Sequence, residues 1–253
     1  MRTVAVIPAR MGSTRYPGKP LCDIHGLPMI EHVYRRTRMS DSLDATYIAT
    51  PNEEIREAAE EFGAPVIMTG EHTRCTSRVA EAAQGLDADV VVVMQGDEPL
   101  IRPEMVDTAV EPMLDDPDIG CVNLASRIRD REVFEDENTV KVVLDGDDRA
   151  LYFSREPIPN LHDVAFEDAR VYEQVCAMPF RTELLQTFVE LPETPLERAE
   201  SIDMLRLLEH GFDVDVVETD VETHAVDTPA DHERVNEMMA GDDLFAEYAP
   251  REA

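Results

Sequence analysis

Thr3-Val-Ala-Val-Ile7 is an unbroken apolar run, and Pro8-Ala-Arg-Met-Gly-Ser-Thr-Arg-Tyr-Pro-Gly-Lys-Pro20 follows it directly. The first stretch reads as a buried strand, and the second, punctuated by Gly and Pro, as a loop leaving its carboxyl end. In open α/β sheets ligands sit in the crevice outside those ends. Charge sharpens the reading. From Met1 to Cys22 there is no Asp or Glu, yet Arg2, Arg10, Arg15 and Lys19 are present; the rest of the chain sets all 54 acidic residues against 19 basic ones. A basic island in a chain of formal charge −31 points to a polyanionic ligand. Gly12 and Gly18 let the backbone approach it closely, Ser13 and Thr14 add hydroxyl donors, and Arg10, Arg15 and Lys19 add charge, which together suit a triphosphate. The loop is not a Walker A motif, because Pro20 stands where the magnesium-binding Ser/Thr would be.

Strand and helix alternate beyond this loop. Pro28 opens a helix with Met29, Ile30, Val33 and Tyr34 on one face, and Ala45–Ala49 is a strand. Asn52 caps a helix carrying Ile55, Ala58, Ala59 and Phe62, which Gly63 ends. Val66–Met68 is a short strand, Thr76–Gln84 a helix, and Val90–Met94 an apolar strand of the kind a parallel sheet buries on both faces. This βαβα order implies a doubly wound, mostly parallel α/β sheet. The second half is richer in strands, at Ile119–Ser126, Thr139–Leu144, Ala150–Ser154, Val171–Phe180 and Val214–Val217, with an irregular Pro-rich stretch from Pro157 to Asp168. Leu196, Ala199, Ile202 and Leu205 mark one helix, and Thr228-Pro229 starts the last, with Asp231 as capping-box partner. The expected organisation is one domain over 1–240. It comprises a nucleotide-binding half (1–118), a β-rich lobe (about 119–195), a return to the main sheet (196–240), and a loose tail over 241–253.

Composition narrows the function. Two lysines, Lys19 and Lys141, among 23 basic residues, with the acidic excess, suggest adaptation to high salt, where screening shortens the Debye length to about 3 Å at 1 M. The same charge argues against nucleic acid or an anionic membrane as partner. No run reaches the ~20 apolar residues of a membrane span, and no signal-peptide pattern opens the chain, so a cytoplasmic protein is expected. Cys22, Cys75, Cys121 and Cys176 are scattered, which fits free thiols better than a disulfide framework or a zinc site.

Two acidic segments join the loop. Gln95-Gly-Asp-Glu-Pro99 follows the apolar strand, where carboxylates beside a phosphate loop could hold Mg²⁺, and Asp227 stands between a strand and the last helix. A third, Asp145-Gly-Asp-Asp148, carries the Asp-x-Asp of many glycosyltransferases, but Asp-Gly between two apolar strands is also a hairpin signal and reads as a solvated turn.

The runs VIPARMGSTRYPGKPL (6–21), QGDEP (95–99), NTVKVVLD (138–145), ALYFSREPIP (150–159) and VDTP (226–229), in that order, resemble the CMP-sugar synthetases, and within them the 3-deoxy-manno-octulosonate (KDO) branch. The resemblance covers nearly the whole chain, roughly Val4 to Met238. It implies a cytidylyltransferase that joins a 2-keto sugar acid to CTP with release of pyrophosphate, and a homodimer serving polysaccharide synthesis. It implies that Arg10, Ser13 and Lys19 bind the CTP phosphates, with Ala9, Gly12, Thr14, Arg15, Arg78 and Gln95 completing the nucleotide side. Arg10, Lys19 and Asp97 are then the catalytic set, Asp97 and Asp227 the Mg²⁺ ligands, and Lys141, Gln174, Asp203 and Arg206 the sugar side. Three segments depart from the family. Its His-x-Ser-Gly-Thr-Glu-Arg is His72-Thr-Arg-Cys-Thr-Ser-Arg78 here; its Glu-Gln-Leu-Arg is Asp203-Met-Leu-Arg206; and Gln174, Met178 and Phe180 replace a His and two tyrosines. With Met178, Phe180 and Met204 facing the sugar, KDO itself would be a poor substrate. The alternatives are a glycosyltransferase using Asp145 and Asp147, and a non-catalytic sugar-nucleotide-binding protein.

Overall fold

A computed structural model of the chain describes residues 1–249 except Thr14 and Cys176. The strands are β1 (Thr3–Pro8), β2 (Asp23–Ile24), β3 (Leu27–Pro28), β4 (Ala45–Thr50), β5 (Val66–Met68), β6 (Val90–Met94), β7 (Val122–Arg127), β8 (Lys141–Leu144), β9 (Ala150–Ser154), β10 (Tyr172–Gln174), β11 (Ala177–Arg181) and β12 (Asp215–Thr219). The helices are α1 (Met29–Thr37), α2 (Glu53–Glu61), α3 (Cys75–Ala83), α4 (Pro103–Asp115), α5 (Arg131–Glu135), α6 (Thr182–Glu190), α7 (Pro195–Glu200), α8 (Met204–Glu209), α9 (Pro229–Met239) and α10 (Phe245–Tyr248).

The main sheet runs β11-β6-β1-β4-β5, with β6, β1, β4 and β5 parallel and β11 antiparallel at the edge. Its strands are apolar on both faces because both are covered. Ile7, Ile48 and Val92 pack with Ile30 and Val33 of α1, Ile55 of α2 and Met105 of α4. Val4, Val6 and Val91 pack on the other side with Val79 of α3 and Leu185 of α6. The chain steps from β1 outward to β4 and β5, then returns to place β6 on the other flank of β1. This is a topological switch point, where neighbouring loops part and leave a crevice. The loop that follows β1 and the segment after Met94 both emerge there.

The second sheet, β12-β7-β10-β8-β9, forms the β-rich lobe. Several expectations change here. The single strand expected over Val171–Phe180 is two strands in different sheets: β10 pairs with β7 and β8, while β11 joins β6. The return to the main sheet is therefore made by β11, and β12 pairs with β7 in the lobe. The helix expected through Leu196–Leu205 is broken into α7 and α8 at Ser201, whose φ of 59° is left-handed. Asp145 and Asp147 sit in the β8–β9 hairpin turn, where the Asp145 carboxylate accepts from the Asp147 and Arg149 amides. The segment from Gly241 to Ala249, expected to be loose, packs on α1. There the buried Arg36 donates to Asp242 at 2.6 Å and to the Tyr248 hydroxyl at 2.7 Å.

Candidate active site

Three segments meet at the crevice. Gly18, at φ 77°, turns the loop after β1 into a short helical turn that opens with Lys19. The Lys19 ammonium donates to Asp97 at 2.9 Å, to Asp227 at 3.0 Å and to the Val226 carbonyl at 2.9 Å. Arg15 adds a second cation to Asp227 at 2.9 Å and also donates to Asn138 of the lobe. The two acidic segments are joined through their backbones, since the Val226 N–H donates to the Asp97 carbonyl at 2.8 Å.

The convergence has a packing cause. Tyr16 and Cys22 from the loop, Leu100 beyond Asp97, and Val226 beside Asp227 share a small apolar cluster with Ile24, Met29, Val235 and Met239. Gly96 is required for a different reason from a turn. A Cβ there would lie 2.8 Å from the Pro8 carbonyl oxygen, so only glycine lets the Asp97 segment close on the end of β1. The capping box of α9 is present as read, and its Asp231 carboxylate also accepts from the Asp227 amide at 3.1 Å.

Electrostatics follow from this crowding. Burial disfavours the Lys19 charge, but Asp97 and Asp227 outweigh it and hold the ammonium above its ordinary pKa. Glu98, buried and accepting from the Thr223 hydroxyl at 2.7 Å, is pushed up to about 8 by burial first and by Asp97 next among the raising causes. Among the described residues, one Asp97 oxygen, Oδ1, is buried and has no hydrogen-bond partner.

The remaining nucleotide-side residues fall around this centre. Arg10 is exposed and donates to the His72 carbonyl at 3.2 Å, and Ser13 accepts from the Tyr16 amide at 3.3 Å. Gly12 is exposed, Gln95 is half-buried at the end of β6, and Ala9 is buried with its amide on Ala49. Thr14 lies outside the described residues. Arg78 is buried and donates to Thr69, Gly70 and His72, so it builds the wall behind Arg10 and its guanidinium is spent on that scaffold.

The sugar-side set divides. Lys141 is fully buried and its ammonium is taken by three backbone carbonyls, of Asp136, Thr139 and Arg155, so it ties the lobe together. Gln174 donates to Asn123. Asp203 accepts from the Thr76 hydroxyl at 2.7 Å and faces Arg74 at 3.5 Å. Arg206 makes a two-pronged pair with the fully buried Glu197, at 2.6 and 2.8 Å, and stacks 4.2 Å above the Phe188 ring. It is a core residue, where a sugar contact was expected. Met178, Phe180 and Met204 are buried in the main core, so the premise for a poor fit to KDO is removed. Sequence reasoning missed Asn52. Expected only as a helix cap, it accepts from the Met11 amide at 3.0 Å and anchors the loop that carries Arg10, Arg15 and Lys19. Its position at the carboxyl end of β4, beside β1, was the available signal.

A family model described as cytidylyltransferase matches residues 4–219. A 3-deoxy-manno-octulosonate cytidylyltransferase of Geobacter metallireducens is 44% identical over 250 residues, covering 95% of this chain and 98% of that one. The protein of the same name from Chlorobium limicola is 42% identical over 242 residues, covering 94% and 98%. A solved structure of CMP:2-keto-3-deoxy-manno-octonic acid synthetase complexed with CTP matches with a TM-score of 0.89 and 40% identity, covering 95% of this chain and 99% of that one. A 4-diphosphocytidyl-2C-methyl-D-erythritol synthase from Anaerococcus prevotii, at a TM-score of 0.62 and 16% identity, shares the fold.

Proposed function

The chain belongs to the cytidylyltransferase family and is a nucleotidyltransferase, and from that premise we propose that it joins the CMP of CTP to KDO and releases pyrophosphate. The carrying observation is the Lys19 ammonium held between Asp97 and Asp227 at the switch-point crevice, beneath an arginine-bearing loop. The names of relatives above 40% identity across nearly the full chain support KDO as the acceptor.

In the reaction the anomeric oxygen of the sugar acid bonds to the α-phosphorus of CTP, its proton is lost, and the bond to the β-phosphate oxygen breaks. Such chemistry is driven by positioning and charge neutralisation. Arg10, Arg15 and Lys19 bind the triphosphate and offset the charge that grows on the departing pyrophosphate. Asn52 and Gly18 fix the loop that carries them.

Mg²⁺ fits this donor set. The orphaned Asp97 oxygen and the neighbouring Asp227 carboxylate are hard oxygen ligands, and Mg²⁺ is commonly held by one or two carboxylates plus substrate phosphates. Among the described residues no cluster of three or more His, Cys, Asp or Glu side chains that could hold a metal ion is found. The ion would polarise the α-phosphate and lower the pKa of the attacking hydroxyl.

The wider setting belongs to the same proposal: a cytoplasmic homodimer with a nucleotide half, a sugar and dimer lobe, and adaptation to concentrated salt. No helix among the described residues is long and apolar enough to cross a membrane. The test is pyrophosphate release in molar KCl with each of the four nucleoside triphosphates against KDO and other 2-keto sugar acids. CTP with KDO should be the productive pair. Release of a nucleoside diphosphate instead would favour a glycosyltransferase, and no release from any pair would favour a binding protein.

A further inference from the structure

We propose that His232 is a positioning residue for the triphosphate loop, acting through the Tyr16 hydroxyl; the inference rests on the nucleotide-binding reading above. His232 Nε2 lies 2.8 Å from the Asp23 carbonyl, and Nδ1 lies 3.0 Å from the Tyr16 hydroxyl. A carbonyl only accepts, so Nε2 carries the hydrogen, and the neutral ring leaves Nδ1 to accept from Tyr16 O–H. The relay runs from Tyr16 through His232 to Asp23 and joins the loop, α9 and β2.

Each end is tied to a working part of the site. The Tyr16 carbonyl accepts from the Lys19 amide at 3.2 Å, and the Tyr16 amide donates to Ser13, so this ring sets the backbone that presents Lys19. The His232 amide donates to the Thr228 carbonyl at 3.1 Å, in the first turn of the helix that Asp227 precedes. His232 and Asp227 therefore move as one unit, and the Tyr16 bond fixes the loop against it.

The loop has charged ties as well, from Lys19 to Asp97 and Asp227 and from Arg15 to Asp227. Those cations are the groups that a triphosphate recruits, so these ties are exchanged when nucleotide binds. The Tyr16–His232 bond is neutral and holds no ligand, so it persists and keeps the loop in register.

The test compares Tyr16→Phe, His232→Ala, the double variant and His232→Gln in molar KCl, with circular dichroism establishing that each folds. Tyr16→Phe removes one oxygen and serves if His232→Ala is unstable. Each single variant should weaken CTP binding, read by calorimetry and as KM for CTP, by about three- to tenfold, the range of one neutral hydrogen bond. KM for KDO should stay within twofold. The double variant should be no worse than the weaker single, and His232→Gln, which keeps an acceptor, should recover part of the loss. Unchanged CTP affinity in Tyr16→Phe, additive losses, or an equal rise in both KM values would overturn the proposal. Calorimetry separates the two readings: wild-type protein that binds CTP without releasing pyrophosphate sinks the transferase reading while the coupling is still measured. Wild-type protein that does not bind CTP sinks both.

Discussion

Replacing Lys19 with methionine should have two effects of opposite sign. The ammonium makes charge-assisted bonds to Asp97 and Asp227 with its side chain only 14% exposed, and in the proposed reaction it offsets the charge on the departing phosphates. One such bond is worth about 1.5–3 kcal/mol, so kcat/KM for CTP should fall by one to two decades at about 1.36 kcal/mol per decade. Without nucleotide, however, Lys19 would share the Asp97 and Asp227 carboxylates with the proposed divalent cation, taking Asp97 Oδ2 where Oδ1 is left for the ion. Removing it leaves two carboxylates without that counter-charge, and a unit charge about 4 Å away contributes on the order of 4 kcal/mol at an effective dielectric of 20. Solvent and Arg15 take up much of that, so a tightening of Mn²⁺ binding by about tenfold is expected. Electron paramagnetic resonance titration of free Mn²⁺ against wild-type protein and Lys19→Met, without nucleotide, reads this directly. Mn²⁺ binding weaker in the variant, or turnover equal to wild type, would refute a site in which lysine and metal share Asp97 and Asp227.

Other expectations follow from the same geometry. Asp97→Asn and Asp227→Asn should each abolish Mg²⁺-dependent pyrophosphate release with the fold intact by circular dichroism, whereas Asp145→Asn and Asp147→Asn should stay near wild type because they occupy an exposed hairpin turn. Arg206→Met should destabilise the fold by about 3–5 kcal/mol, as expected when the partner of the fully buried Glu197 is removed, with KM for KDO unchanged; denaturant titration and steady-state kinetics check the two halves. Glu173 is raised to about 7 by burial first and by Glu222 next, so the folded state keeps a proton there that the unfolded chain has lost. Its contribution to stability is therefore full below pH about 4.5 and is lost as pH rises through about 7. Glu173→Gln should flatten the stability profile across that window, measured by denaturant unfolding at constant ionic strength.

The parts legible in the sequence were those that local chemistry decides. An apolar run with Gly and Pro beyond it announced β1 and the loop that follows it, Asp-Gly between apolar runs announced the β8–β9 turn, and Thr228 with Asp231 announced the start of α9. Lys19 stood out because it belongs to the basic island that carries the charge contrast of the chain, and Asp97 and Asp227 because one follows a strand and the other precedes a helix. What the sequence withheld were the facts set by partners distant along the chain. A strand buried on both faces has no polar side to orient it, so nothing local could say that Phe180 and Met178 pack into the core. A stretch continuous in the sequence could not reveal that β10 and β11 belong to different sheets, because pairing depends on which edges β6, β7 and β8 leave open. Arg206 carries the same charge whether it meets a sugar or Glu197, and only the crossing of α7 and α8 brings that carboxylate within 2.6 Å. Tyr16 and His232 lie 216 residues apart, and neither type is remarkable in its place until the fold sets them 3.0 Å from one another.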